Sequence, residues 1–269
     1  MKKVVLSAVA ALAVTAGPAF AADMPVKAYK AAPVAYVSPW DVAFGTAFTT
    51  DYVLRGISQT DGQGAVQGYA EVRYNINPAV QLYAGIWGSS MATYIANAEF
   101  DFSGGARFSY GMFGLDVGYV YYVYPGARQA PPAFFYDNFG EVYVKPSIKI
   151  NDWLSLNGTI VGGDNVNNSR LWAVYYAGGA TVTLPWALAT DVTTSISAEI
   201  GYQTFEVGND YTTWNVGIAF NYKAITLDLR YFDTDLSGAT RVLSPSGRDL
   251  SGERFVATLK FDTTLAALK

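Results

Sequence analysis

The sequence predicts an all-β fold, a transmembrane antiparallel up-and-down β-barrel of about 12 strands. Three observations carry that expectation. Apolar residues fill 51 % of the 269 positions and charged residues only 15 %, against about 25 % charged in a soluble domain. Beyond the N-terminus, no run approaches the ~20 consecutive apolar residues of a spanning helix, so the apolar content is spread as alternation. Tight and long connections also succeed each other along the chain, as in bacterial barrels with short periplasmic turns and longer outer loops.

The elements follow in order. "MKKVVLSAVAALAVTAGPAFA", residues 1–21, has a basic start, a short apolar run and Ala19-Phe20-Ala21 at its end, the pattern of a cleaved secretory signal peptide. Its removal would leave 16 basic against 22 acidic side chains, a net charge of about −6. Residues 22–39 hold Pro25, Pro33 and Pro39 among alanines and read as a periplasmic extension without regular structure.

Residues 40–55 set the pattern of the barrel, assigned to 40–262 with a short tail at 263–269. Even positions Trp40, Val42, Phe44, Thr46, Phe48, Thr50, Tyr52 and Leu54 are mostly large and apolar. Odd positions, among them Asp41, Ala43, Gly45, Asp51 and Arg55, are mostly small, polar or charged. Period two makes this a strand with two unlike faces. Further strands are predicted near 65–75, 79–89, 94–110, 114–125, 139–150, 153–162, 170–184, 191–206, 211–223, 225–234 and 252–262. Their lipid faces include Val72, Leu82, Phe102, Leu115, Val142, Ile160, Ile200, Val216, Leu229 and Leu259. "NINPA", "YGMFG", "NDW", "PWALATD" and "YKA" supply the tight turns. Aromatic girdles are expected at Trp40, Tyr74, Tyr110, Trp153, Trp186 and Tyr222 on the turn side, with Tyr52 and Tyr94 on the loop side.

A lysine or arginine facing lipid near the midplane costs ~2–4 kcal/mol. Ionised groups therefore belong inside, and parity agrees for Asp51, Arg55, Glu71, Arg73, Glu99, Asp101, Arg107, Asp116, Glu141, Lys145, Lys149, Asp228 and Arg230. If the first hairpin closes around residue 60 or 61, Asp51 sits beside Glu71 or its diagonal neighbours with Arg73 close by, and the turn at 110–114 sets Arg107 diagonal to Asp116. The loop "YPGARQAPPAFFYDNF" is rich in Pro and aromatic residues, which suits a segment that folds over or into the mouth, with Arg128 near the path.

The chain has neither histidine nor cysteine. That excludes Ser-His and Asp-His catalysis and removes the usual zinc and copper ligands. No enzyme, cofactor or metal site is expected. The acidic balance and lack of a basic patch argue against nucleic acid.

Several blocks also carry a resemblance: "TTDYVLRGISQT" at 49–60, "GIWGSS" at 85–90, "AEFDFSGG" at 98–105, "LDVGYVYYVYPG" at 115–126 and "FGEVYVK" at 139–145. In this order they resemble the TorF family of outer-membrane porins, also labelled Gcw_chp. The resemblance implies an outer-membrane barrel with a porin role, and it singles out Asp51, Arg55, Gly56, Gln59, Trp87, Glu99, Asp116, Tyr124, Pro125, Gly126 and Glu141. Its implied partners are outer-membrane lipid, small hydrophilic solutes and the barrel assembly machinery. Two other readings stay open: a barrel occluded by its own charges that serves a structural or surface role, and a soluble β-sandwich.

Overall fold

Alternation becomes architecture through strand length. A run of ten or more residues with one apolar and one polar face has a single arrangement that satisfies every backbone group in hydrocarbon, a sheet closed on itself. The computed structural model, which describes residues 39–127, 138–164, 171–187 and 189–268, shows that closure. The predicted signal peptide, nearly all of the extension and Arg128 lie outside these residues.

Twelve long strands follow one another around the barrel. They are β1 (Trp40–Thr49), β4 (Ala65–Asn77), β5 (Val80–Ser90), β6 (Ala98–Tyr110), β7 (Phe113–Val123), β8 (Phe139–Lys149), β9 (Leu154–Gly163), β10 (Ala173–Thr183), β11 (Val192–Phe205), β12 (Tyr211–Tyr222), β13 (Ile225–Thr234) and β14 (Arg254–Thr264). All neighbours are antiparallel, and β1 closes the cylinder by pairing with β14, Phe48 opposite Leu259. Short turns at 78–79, 111–112, 150–153 and 223–224 gather at one end with both barrel termini. The longer connections, among them 50–64 and 235–253, gather at the other. Within 50–64, β2 (Val53–Leu54) and β3 (Ile57–Ser58) form a separate small hairpin.

Four expectations are corrected here. The first barrel strand stops at Thr49 rather than near 55, because Arg55 and Gly56 take positive φ values of 48° and 82° and reverse the chain. The register then follows: Ala43 rather than Asp51 lies opposite Glu71, and Asp41 lies opposite Arg73. Arg107 is directly opposite Asp116, not diagonal to it. The last strand also runs to Thr264, followed by a short 3-10 turn at Ala266–Leu268.

The outer surface is a belt of exposed Val, Leu, Ile and Phe. At the short-turn end, Trp40 packs on Tyr74 at 4.7 Å, and Tyr110, Trp153, Trp186 and Tyr222 are exposed beside them. At the loop end, the exposed aromatics include Phe48, Trp172, Tyr202, Phe205 and Phe255. Tyr52 and Tyr94 do not join that girdle. Tyr52 is 1 % exposed and turned inward with its loop, and Tyr94 packs against the same inner cluster.

Inside, large side chains lie over glycines on neighbouring strands. The Tyr143 ring covers Gly118 and the Tyr83 ring covers Gly105, each closely enough that a Cβ on the glycine would collide with the tyrosine hydroxyl. Big-on-small packing of this kind fills a barrel interior.

Replacing Phe102 in the outward row of β6 with lysine should lower stability by ~2–4 kcal/mol. Urea unfolding in lipid vesicles, followed by tryptophan fluorescence, measures it.

Candidate functional site

The interior is built around segment 50–64, which turns into the barrel instead of standing above it. Asp51 ties its base. Ser58 and Thr60 donate to Asp51 Oδ1 at 2.6 and 2.7 Å, and Arg254 of β14 donates to Oδ2 at 3.1 Å. The Thr60 hydroxyl in turn accepts the Tyr52 backbone N–H at 3.0 Å. A two-residue hairpin turn demands left-handed backbone at both central positions. Gly56 adopts it freely, whereas Arg55 does so at some cost in strain.

That turn carries Arg55 across the lumen. Its guanidinium meets Glu141 of β8 through two bonds, Nη2 to Oε2 at 2.5 Å and Nη1 to Oε1 at 3.1 Å, and reaches Gln203 of β11 at 3.2 Å. It also lies 5.4 Å from the centre of the Tyr175 ring on β10. The Tyr211 hydroxyl of β12 donates to the Arg55 carbonyl at 2.9 Å. Gly56 is seated so closely on Thr213 of β12 and Thr234 of β13 that a side chain there would collide. A loop leaving β1 thus rests on the far wall, from β8 round to β13.

Most of the other inward charges form two further groups, with Glu199 of β11 and the buried Lys260 of β14 outside them. Toward the short-turn end, Glu71 accepts Arg73 Nε at 2.5 Å and both Arg107 amino groups at 2.8 Å, while Arg107 Nε donates to Asp116 at 3.2 Å. Arg107 also stacks 3.8 Å from the Tyr83 ring centre, and the Tyr83 hydroxyl donates to Asp116 at 2.6 Å. Lys145 lies opposite Asp116 with its ammonium 4.6 Å from the Tyr143 ring. On β13, Arg230 pairs with Asp228 and donates to Asn215 at 2.5 Å. Such fork-to-carboxylate bonds are the strong kind, and they are nearly closed to solvent.

Lys149 stands apart. It pairs at 3.0 Å with the fully exposed Asp152 in the turn after β8, so it sits at the rim rather than within the lumen. Glu99 and Asp101 are inward and buried, and no ion pair reaches them among the described residues. Arg128 lies outside the described residues, and the segment seen to cross the lumen is 50–64. That loop was missed as a feature because Tyr52 and Leu54 continue the alternation of β1. The available signal was Gly56, a turn-former followed by Ser58 and Thr60, whose hydroxyls can fold back on Asp51.

The inner wall is uneven. Toward β4–β8 it is large and buried, with Tyr83, Trp87, Tyr122, Tyr124, Phe139 and Tyr143 in one cluster with Tyr52. Across β9–β11 it is small and half-buried, at Ser155, Asn157, Thr159, Gly179, Thr181 and Ser197. This strip runs from the short-turn end up to the buried seat of Arg55.

Among known proteins, a family model described as "Bacterial protein of unknown function (Gcw_chp)" matches residues 34–262. No curated protein matches the chain. Similar solved structures include the NanC porin, at 12 % identity and a TM-score of 0.47, covering 83 % of this chain and 98 % of that one. The COG4313 outer membrane channel from Pseudomonas putida F1 shares 9 % identity at a TM-score of 0.48, covering 86 % and 97 %. The KdgM porin shares 10 % at 0.44, covering 82 % and 98 %.

Exchanging Glu141 for glutamine should leave the Arg55 guanidinium without its counter-charge, a loss of ~3–5 kcal/mol when one partner of a buried pair is removed. Trypsin added to intact proteoliposomes should then cut after Arg55, a bond protected in the unaltered protein, and mass spectrometry of the fragments reads the result.

Proposed function

We propose that the chain, which belongs to the Gcw_chp family, is an outer-membrane channel for passive diffusion of small hydrophilic solutes, with segment 50–64 as its constriction. The observation that carries this reading is the small, polar, half-buried strip on β9–β11 leading to the Arg55–Glu141 pair. A wall of serine, threonine, asparagine and glycine leaves room and hydrogen-bonding groups for water, while the opposite wall fills its space with tyrosine rings. A barrel of 12 strands falls between the side-chain-filled interior of ~8 strands and the open pore of ~16, which fits a narrow path. The resemblance to TorF porins and the sequence pattern of a secretory signal point to the same place, the outer membrane of a Gram-negative cell.

The half-buried strip ends against a seated arginine, so passage of a solute requires the loop tip to move or the solute to slip past the guanidinium. Selectivity then rests on residues close to that tip, since wall charges at a constriction choose solutes more strongly than charges elsewhere. One specific observation favours a second reading, a structural barrel without appreciable conductance: Glu71, Glu99 and Glu141 are each 1 % exposed or less, so the wall that holds them is packed solid.

Planar-bilayer recording separates the two. Small, stable conductance steps are expected from the purified protein, and Arg55→Ala should raise them severalfold by freeing the tip. Silence from both proteins, with the barrel intact by circular dichroism, would establish the structural reading instead.

A further inference from the structure

Arg55 gives a scale for the width of the lumen. One of its nitrogens, Nη1, donates both to Glu141 of β8 at 3.1 Å and to Gln203 of β11 at 3.2 Å. Side chains from those two strands therefore come within one guanidinium of each other, although β9 and β10 lie between them. The pairings of β8 with β9, β9 with β10 and β10 with β11 run without a register shift. Four residues along β8 and four back along β11, the same relation recurs between Lys145 and Glu199. That step is ~13 Å toward the short turns at ~3.3 Å per residue.

This second pair is of opposite sign and close enough for its charges to interact, yet neither member forms an ion pair among the described residues. Lys145 rests only on the Tyr143 ring, 4.6 Å from its centre. Its neighbour across the ladder, Asp116, is already taken by the Tyr83 hydroxyl and by Arg107. Glu199 accepts neutral donors alone, the Tyr175 hydroxyl at 3.3 Å and the Asn157 amide at 3.5 Å. Both charged side chains are half-buried, and the wall between them is short and half-buried too, at Thr159, Ala177 and Gly179. At the level of Arg55 the loop fills the gap; at this level no described side chain bridges it.

We propose that Lys145 and Glu199 form a transit site for small zwitterions, solutes of the α-amino acid class, with the carboxylate on Lys145 and the ammonium on Glu199. The site refines the channel reading and rests on it. An α-amino acid carries both charges on one carbon, which suits a gap that a single guanidinium spans higher up. A free anion drawn to Lys145 meets the repulsion of Glu199, and a free cation meets the reverse. A zwitterion answers both groups and brings no net charge into the enclosed space. The half-exposed state of both partners keeps the contacts weak enough for release, as conduction requires.

Swelling of proteoliposomes in L-alanine and in lactamide tests the site, because the two solutes are isomers and only alanine is a zwitterion. Entry into protein-free vesicles is subtracted for each. Alanine should enter severalfold faster than lactamide through the unaltered protein. K145Q and E199Q each remove one charge without breaking an ion pair, and each should bring the ratio toward one. D152N, at the rim, should keep it. Taking the ratio within one preparation cancels differences in pore width and in the amount reconstituted. Equal entry of the isomers through the unaltered protein, or a preference that survives in both K145Q and E199Q, overturns the site and leaves the channel standing. Entry of neither isomer removes the channel reading, and the site with it.

Discussion

An ionised side chain has nowhere to go on the outside of this molecule, and its inner organisation follows from that exclusion. Once outward positions are given to Val, Leu, Ile and Phe, every alternate residue points into one enclosed space, charges included. There they can be satisfied only by each other. Arginine dominates the solution, at Arg55, Arg73, Arg107, Arg230 and Arg254, because a planar fork can bond a carboxylate twice while its face rests on an aromatic ring. Arg107 does both, with Glu71 below and Tyr83 beside it. Lys149 lies at the rim, where water does that work.

The two walls of the cylinder use this enclosed space differently. Around β4–β8, tyrosines over glycines and stacked ion pairs leave no room. Around β9–β11, short side chains keep a strip half open. The loop from β1 sits between them, its aromatic base against the crowded wall and its arginine tip bridging from Glu141 on that wall to Gln203 and Tyr175 on the spacious one. Tyr52 meets Trp87 at 5.4 Å on the first side, and Arg55 reaches Gln203 of β11 and the Tyr175 ring of β10 on the second. The residues that carried the family resemblance, including Asp51, Arg55, Gly56, Trp87, Glu99 and Glu141, gather around this one loop.

Face and strand order were legible in the sequence because they depend on parity, and parity survives any loop length. Val72 out and Glu71 in requires only a period of two. Register was not legible to the same degree. Pairing Ala43 with Glu71 depends on where the first connection turns, and 50–64 conceals its turn inside a stretch that still alternates. Alternation reports two unlike surroundings without saying which they are. For Tyr52 and Leu54 the apolar surroundings are the inner aromatic cluster, not lipid. Pairing across the lumen, Arg55 with Glu141, joins residues 86 positions apart and is set by closure of the whole sheet, which no local pattern encodes.

The docked hairpin also implies an order of events. Its base is fastened to Arg254 on the final strand, and its tip to residues of β8, β11 and β12. A segment translated near the beginning of the chain therefore finds its seat only after the far end has joined and the cylinder has shut. Until then Asp51 and Arg55 lack their partners on the other strands. The early-made piece is the last to settle, and its settling registers that the wall around it is complete.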